Sequence, residues 1–112
     1  MKKIGGNTKA VIQTHITEKN AIGEGVKKWS DALTLNGWLD LSGGSSGYTA
    51  FAAKVQESTH VFVSDYVPLP TSVTSENSRM VINGKVYDIM LIDDPMEMHK
   101  QLEIYLKYTG GV

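Results

Sequence analysis

"RMVINGKVYDIMLIDD", residues 79–94, consists of two apolar-rich runs joined at Asn83-Gly84. Asn and Gly tolerate the positive φ that a two-residue type I′ turn requires. The twist of that turn matches the strands on either side, so the stretch predicts a β-hairpin. A lone hairpin is marginal in water, and its apolar face needs further strands to cover it. The rest of the chain has to supply them.

Upstream, "AVIQTHIT" (10–17) alternates Val11, Gln13, His15 and Thr17 with Ala10, Ile12, Thr14 and Ile16. With β-branched residues dominant, this predicts a strand. "EKNAIGEG" (18–25) is a turn-rich connection. "VKKWSDALT" (26–34) predicts a half-buried strand with Trp29 turned inward, and Asn36-Gly37 offers a second hairpin turn into "WLDL" (38–41). "SGGSSG" (42–47) has no side chain able to anchor a core. After it, Tyr48, Phe51, Ala52 and Val55 fall at i, i+3, i+4 and i+7, which predicts a short amphipathic helix of about three turns. "THVFVSDYV" (59–67) is a strand by composition, and "PLPTSVTSENS" (68–78) a long exposed loop. "DDPMEMHK" (93–100) is a loop. "QLEIYLKY" (101–108) closes the chain with Leu102, Ile104, Leu106 and Tyr108 on one face.

The expected fold is therefore mainly β: a small β-barrel of about six strands with one short helix and long mobile loops. Residues 1–9 are expected to form a flexible N-terminal arm and residues 10–112 a single β-barrel domain, whose apolar faces close over Trp29, Trp38 and the first strand. At 112 residues the chain can bury one modest core. No apolar run is long enough to span a membrane, and "MKKIGGNTKAV" lacks the apolar segment of a secretory signal. Cysteine is absent, which removes disulfides and thiolate chemistry together. A formal net charge of -1 and a single arginine, Arg79, argue against a dedicated nucleic-acid binder.

Chemistry finds little support. His15, His60 and His99 match no compact metal-ligand spacing, so no metal is expected. "MEMH" carries Met96 and Met98 beside His99; a loop with adaptable apolar side chains that dock on a neighbour accounts for it better than a soft copper site. Asp93-Asp94 before Pro95 reads as loop acids. No serine sits in a Gly-x-Ser-x-Gly elbow, and "SGGSSG" lacks the lysine of a phosphate-binding loop. No catalytic residue and no cofactor are expected. From a different class, an OB-like single-stranded nucleic-acid-binding barrel would use aromatics such as Tyr48, Phe51, Phe62, Tyr66, Tyr87, Tyr105 and Tyr108 with the six lysines that precede residue 30. Core and interface use of those rings is the default.

Taken in order, Gly23 to Trp29, Ser42-Gly43, Thr59-His60-Val61 to Tyr66, Arg79 to Gly84, Tyr87 to Ile89, Asp93 to Pro95 and Leu102 to Tyr108 resemble the head-closure, or head-tail joining, proteins of long-tailed bacteriophages and prophages. The resemblance covers nearly the whole chain. It implies a non-enzymatic connector of the stopper type, a homo-oligomeric ring below the portal and its adaptor that retains packaged DNA and docks the tail; adaptor or tail terminator is the near alternative. Double-stranded DNA would pass without sequence-specific binding, and no membrane is involved. The protein would occupy the bacterial cytoplasm during assembly and then the head-tail junction of the virion. Within that frame Ser42, Gly43, Gly44, Ser45, Ser46, Gly47 and Tyr48 are the candidate gating loop. Pro68, Leu69, Pro70, Met96 and Met98 are the candidate contacts between subunits or with partners.

Overall fold

The structure is a computed structural model that describes residues 4–19, 21–41 and 58–108. The described strands are β1 (Thr8–Lys19), β2 (Gly25–Leu41), β3 (His60–Asp65), β4 (Ser78–Ile82), β5 (Lys85–Asp93) and β6 (Gln101–Tyr108), with one 3-10 turn at Pro95–Glu97. All pairings are antiparallel, and the strands close into a ring in the order β1-β2-β3-β6-β5-β4. The helix expected over residues 48–55 and the loop 42–48 lie outside the described residues.

The opening hairpin forms as its sequence requires. Asn83 and Gly84 take φ of 52° and 77°, the left-handed pair of a type I′ turn, and Ile82 pairs with Lys85 across it. Each strand then turns alternate residues inward. Ala10 and Ile12 of β1, Leu35 of β2, Phe62 of β3, Met80 and Ile82 of β4, Tyr87 and Ile89 of β5, and Leu102, Ile104 and Leu106 of β6 form one buried cluster. The alternation read for β1 and β6 from sequence holds through Thr14 and Leu106, but Ile16 in β1 and Tyr108 at the end of β6 are 36% and 38% exposed.

Asn36-Gly37 does not make a turn. Both residues lie inside the 17-residue β2, and neither adopts positive φ. Gly37 is there for space: a Cβ on it would stand 2.2 Å from the Val63 carbonyl oxygen and 2.9 Å from the Phe62 ring. A second glycine fits against it from the other side, because a Cβ on Gly6 would stand 2.3 Å from the Gly37 backbone. The glycine that signals a turn from sequence alone is here a point of backbone crossing.

Trp29 does not face inward either. Ile12 pairs with Leu33 and Gln13 with Asp31, which leaves Ala32 as the extra residue of a β-bulge. The bulge shifts the alternation by one, so Leu33 and Leu35 point to the core while Asp31 and Trp29 share the outer face with Gln13 and His15. Trp38 is also outside, 47% exposed. A second bulge at Met90 separates the Ile89–Leu106 pair from the Leu91–Tyr105 pair, and beyond it Ile92 rather than Leu91 packs on the core. The core is thus closed by aliphatic side chains, Met80, Phe62 and Tyr87, not by the two tryptophans.

The segment 68–78 is less exposed than its composition suggests. Val73 is buried and Leu69 packs against the core. Asn77 organises the chain around them: its Oδ1 accepts from Thr74 N (3.0 Å), Thr74 Oγ1 (2.9 Å) and Ser78 Oγ (2.7 Å), and its Nδ2 donates to Ser72 O (2.7 Å). Ser78 is already the buried first residue of β4.

A methyl at position 37 has to displace backbone, so Gly37→Ala is expected to lose about 1–3 kcal/mol in urea unfolding. Gly84→Ala, with φ of 77° but open space around the added atom, is expected to lose only about 1 kcal/mol. Equal losses at the two positions would show that close approach at Gly37 is not the constraint.

Candidate assembly surface

The connection between β5 and β6 is held in an uncommon backbone conformation. Met96, Glu97 and His99 have φ of 55°, 53° and 55°. Residues with a Cβ pay about 1–2 kcal/mol each for that region, so the surroundings must impose it. Asp94 does so: its Oδ1 accepts from His99 N at 3.0 Å, its Oδ2 meets His99 Nδ1 at 2.5 Å, and its carbonyl accepts from Glu97 N at 2.8 Å. Met98 N donates to Pro95 O at 3.3 Å. The outcome is two methionines displayed to solvent, Met96 at 87% exposure and Met98 at 50%.

The chain leaving β3 runs beside this turn. The Tyr66 and His99 rings lie 4.6 Å apart between centroids, and Tyr66 N donates to Lys100 O at 3.3 Å. Exposed Val67, Pro68 and Pro70 therefore follow directly from the methionine turn's neighbour. Of the contacts expected from sequence, Pro68, Pro70, Met96 and Met98 lie on surface-facing loops joined through Tyr66 and His99. Leu69 instead contributes to packing beneath them. The expected gating residues Ser42 to Tyr48 lie outside the described residues.

Asp65 and Trp38 complete this end, and sequence reasoning missed both. The Asp65 carboxylate accepts from Ile4 N at 2.7 Å and Gly5 N at 3.0 Å, while Trp38 Nε1 donates to Ile4 O at 3.1 Å. Residues 4 and 5 are thus fastened to β2 and β3. No local pattern announces this, because the partners are 34 to 61 positions apart in the chain.

On the outer face of β1, β2 and β4, Arg79 stacks over Trp29, 4.3 Å from Cζ to the ring centroid, and His15 stacks on the same indole at 3.8 Å. Arg79 Nε donates to Gln13 Oε1 (2.8 Å), and Gln13 Nε2 donates to Asp31 Oδ1 (2.9 Å). The single arginine is spent on its own sheet. A cleft of about 380 Å³ beside Trp29 is lined by Ser75, Glu76, Ser78, Asp88, Ile89 and Met90. Its serines have no histidine among the lining residues to act as base, and Ser78 Oγ already donates to Asn77. Among the described residues no three His, Asp or Glu side chains converge to hold a metal ion.

The outer face of β5 and β6 is acidic. Glu103 accepts from Gln101 Nε2 (2.6 Å) and from Tyr105 Oη (2.9 Å), and stands opposite Asp93. Burial pushes the Asp93 carboxyl up, and the negative charges of Glu103 and Asp94 add to it. Burial, the hydrogen bond to Glu103 and the charges of Glu103 and Asp93 push the Tyr105 phenol up to about 12.

Both groups favour their protonated forms in the fold, so each adds stability below its ordinary value that is lost as pH rises through the folded one. For Asp93 the loss begins near the ordinary 3.8 and proceeds as pH rises through the raised folded value. Asp93→Asn is therefore expected to raise Tm at pH 7 and to leave it unchanged at pH 3. For Tyr105, ultraviolet titration of the folded protein should show a phenol ionising near 12, returning toward the ordinary range in Glu103→Gln.

Comparison with known proteins places this surface in context. No curated protein sequence matches the chain. Among solved structures, the solution structure of protein SF1141 from Shigella flexneri 2a is similar at TM-score 0.64 and 18% identity, covering 97% of each chain. A chain from the virion of a native gene transfer agent particle is similar at TM-score 0.55 and 13% identity, over 89% of this chain and 91% of that one. At those identities the likeness is one of fold. The family model for phage head completion proteins, however, matches residues 1–107, all but the last residue of the six described strands, and the chain accordingly belongs to the phage head completion protein family.

Proposed function

We propose that the protein is a head-closure component of the stopper type, assembled as a ring below the portal and its adaptor, where it retains packaged DNA and presents the docking surface for the tail. The observation that carries this reading is the family match over residues 1–107, which takes in every described strand except the last residue of β6. The fold shared with a chain of a gene transfer agent virion supports it. So does the chemistry of the surface. Exposed methionines on a fixed turn, prolines beside them and a fastened N-terminal segment are contact-making features, whereas the cleft beside Trp29 offers no nucleophile with a base.

Charge supports the same conclusion. Eleven Lys and Arg against twelve Asp and Glu give no surplus for neutralising phosphates. DNA affinity rises with the number of phosphates a protein neutralises, so a near-neutral wall around a duct does not hold the duplex against passage. A single-strand-binding barrel needs open aromatic faces in a basic groove. Trp29 instead has His15 and Arg79 stacked on it, and Tyr105 sits among acids.

Particles assembled without the gene test the proposal. Heads are expected to package DNA and then lose it, and to remain tail-less; purified protein added to freshly filled heads should restore protection of the DNA from nuclease. Heads that keep their DNA and join tails at normal yield without the protein would refute it.

A further inference from the structure

Among the described residues, the two most exposed large hydrophobic side chains, Met96 at 87% and Ile22 at 77%, belong to different parts of the molecule. Met96 is on the β5–β6 turn. Ile22 is at the tip of the β1–β2 hairpin. Thr8 pairs with Gly37, Gly37 with Ser64 and Ser64 with Leu102, so β1 starts in the same row as the beginning of β6, next to the methionine turn. From there β1 runs twelve residues away, roughly 40 Å at about 3.4 Å per residue, in keeping with a long axis of 50 Å. The two apolar tips therefore lie far apart on one protomer.

The outer part of that hairpin is a ribbon without cover from other described strands. β4 pairs with β1 only from Ala10 to Thr14, and β3 pairs with β2 only from Gly37 to Leu41. Ile16–Lys19 and Gly25–Lys28 pair only with each other among the described strands, and Thr17, Lys19, Lys27 and Lys28 are exposed. A two-stranded ribbon is marginal in water and gains from any surface that packs on it.

The charges of the two ends are opposite in balance. The ribbon carries Lys19, Lys27 and Lys28 against Glu18 and Glu24. The methionine turn and its flanks carry Asp93, Asp94, Glu97 and Glu103 against Lys100. Pairing two methionine ends would set acids against acids, and pairing two ribbons would set lysines against lysines. Pairing one of each puts an apolar tip and lysines against an apolar tip and acids. That is a heterologous interface, whose repetition gives a ring when the rotation closes.

From this we infer that the β1–β2 ribbon of one copy docks on the methionine turn of the next copy, with Ile22 beside Met96 and Met98 and Lys19 and Lys27 facing the acids at positions 94, 97 and 103. The inference rests on the head-closure reading and names the partner surface of each subunit within the proposed ring.

The chain has no cysteine of its own, which makes cross-linking a clean test. A double variant, Ile22→Cys with Met96→Cys, should be assembled into tail-less filled heads, oxidised and run denatured without reductant. Because the two positions are at opposite ends of the protomer, a disulfide between them forms only between copies. A ladder of dimers, trimers and higher species is expected, with no ladder from either single variant. Lys19→Glu with Lys27→Glu, added to the double variant, should abolish the ladder, and Glu97→Lys with Glu103→Lys on top should restore it. Thermal melts of the purified variants check that each folds. Double variant present in DNA-retaining heads but giving no ladder would overturn the inference and leave the head-closure reading standing. Dimers from the single variants equal to those from the double variant would also overturn it, in favour of a two-fold contact. Heads that retain DNA with no copy of the protein in them would overturn both.

Discussion

Gly37 is the residue on which the closed ring turns. β2 pairs with β1 from Gly25 to Gly37 and with β3 from Gly37 to Leu41, so within β2 this glycine alone has a strand partner on both sides. Before it, β2 is paired with β1; after it, β2 belongs to the wall that continues into β3 and β6. Such a changeover brings backbone and an aromatic ring to one point: the absence of a Cβ on Gly37 makes room for Val63 and Phe62, and the absence of one on Gly6 lets it approach the Gly37 backbone. Remove that contact and β3 loses its register with β2, Phe62 loses its seat, and the core loses its largest buried side chain.

Which parts of this were readable in advance follows from the range of the interactions. The Asn83-Gly84 turn and the alternation in β1 and β6 are set by residues adjacent in sequence, and they form as read. Asn36-Gly37 has the same local signature as Asn83-Gly84 but a different outcome, because its neighbours across the sheet, Ser64 and Thr8, need an extended chain there. Local preference gave way to tertiary pairing. Trp29 was misread for a related reason: an alternation rule propagates through a strand only until a bulge, and nothing in "WSDAL" reveals that Ala32 is the extra residue. Leu69 and Val73 show that prolines and serines around an apolar residue do not keep it at the surface when the loop is tied by a side chain such as Asn77. Of the site, the methionines and prolines were legible as exposed, adaptable residues in loops. Asp65 and Trp38 were not, since their partners at positions 4 and 5 are brought to them only by the finished fold.

The same topology that buries the core leaves two exposed apolar tips outside it, Ile22 on one hairpin and Met96 with Met98 on another turn. Because β4 covers β1 only from Ala10 to Thr14, the far part of the β1–β2 hairpin is left without another described strand beside it. The reversal from β5 to β6 has to be made in a few residues, and Asp94 makes it by holding three residues with a Cβ in the left-handed region. Strain of this kind persists only where neighbours over-determine the backbone. Its yield here is positional: a turn that does not relax keeps Met96 and Met98 pointed outward. A methionine side chain is itself adaptable, so a rigid backbone under a pliable tip combines low ordering cost with tolerance of an irregular partner surface.

On the head-closure reading, these properties answer a specific mechanical demand. A subunit that closes a pressurised container must add to a neighbour in one direction only, since a two-fold pair would stop growth at a dimer. Directionality requires unlike surfaces, and unlike surfaces on a chain of 112 residues cannot both be large while one core remains intact. Placing one on a ribbon that extends past the core and the other on a strained turn at the opposite end spends almost no core residue on either. Charge then selects the pairing. Opposed net signs at the two ends favour head-to-tail encounter and disfavour both symmetric alternatives, while the near-zero total leaves the assembled wall without a strong hold on the polyanion it encloses.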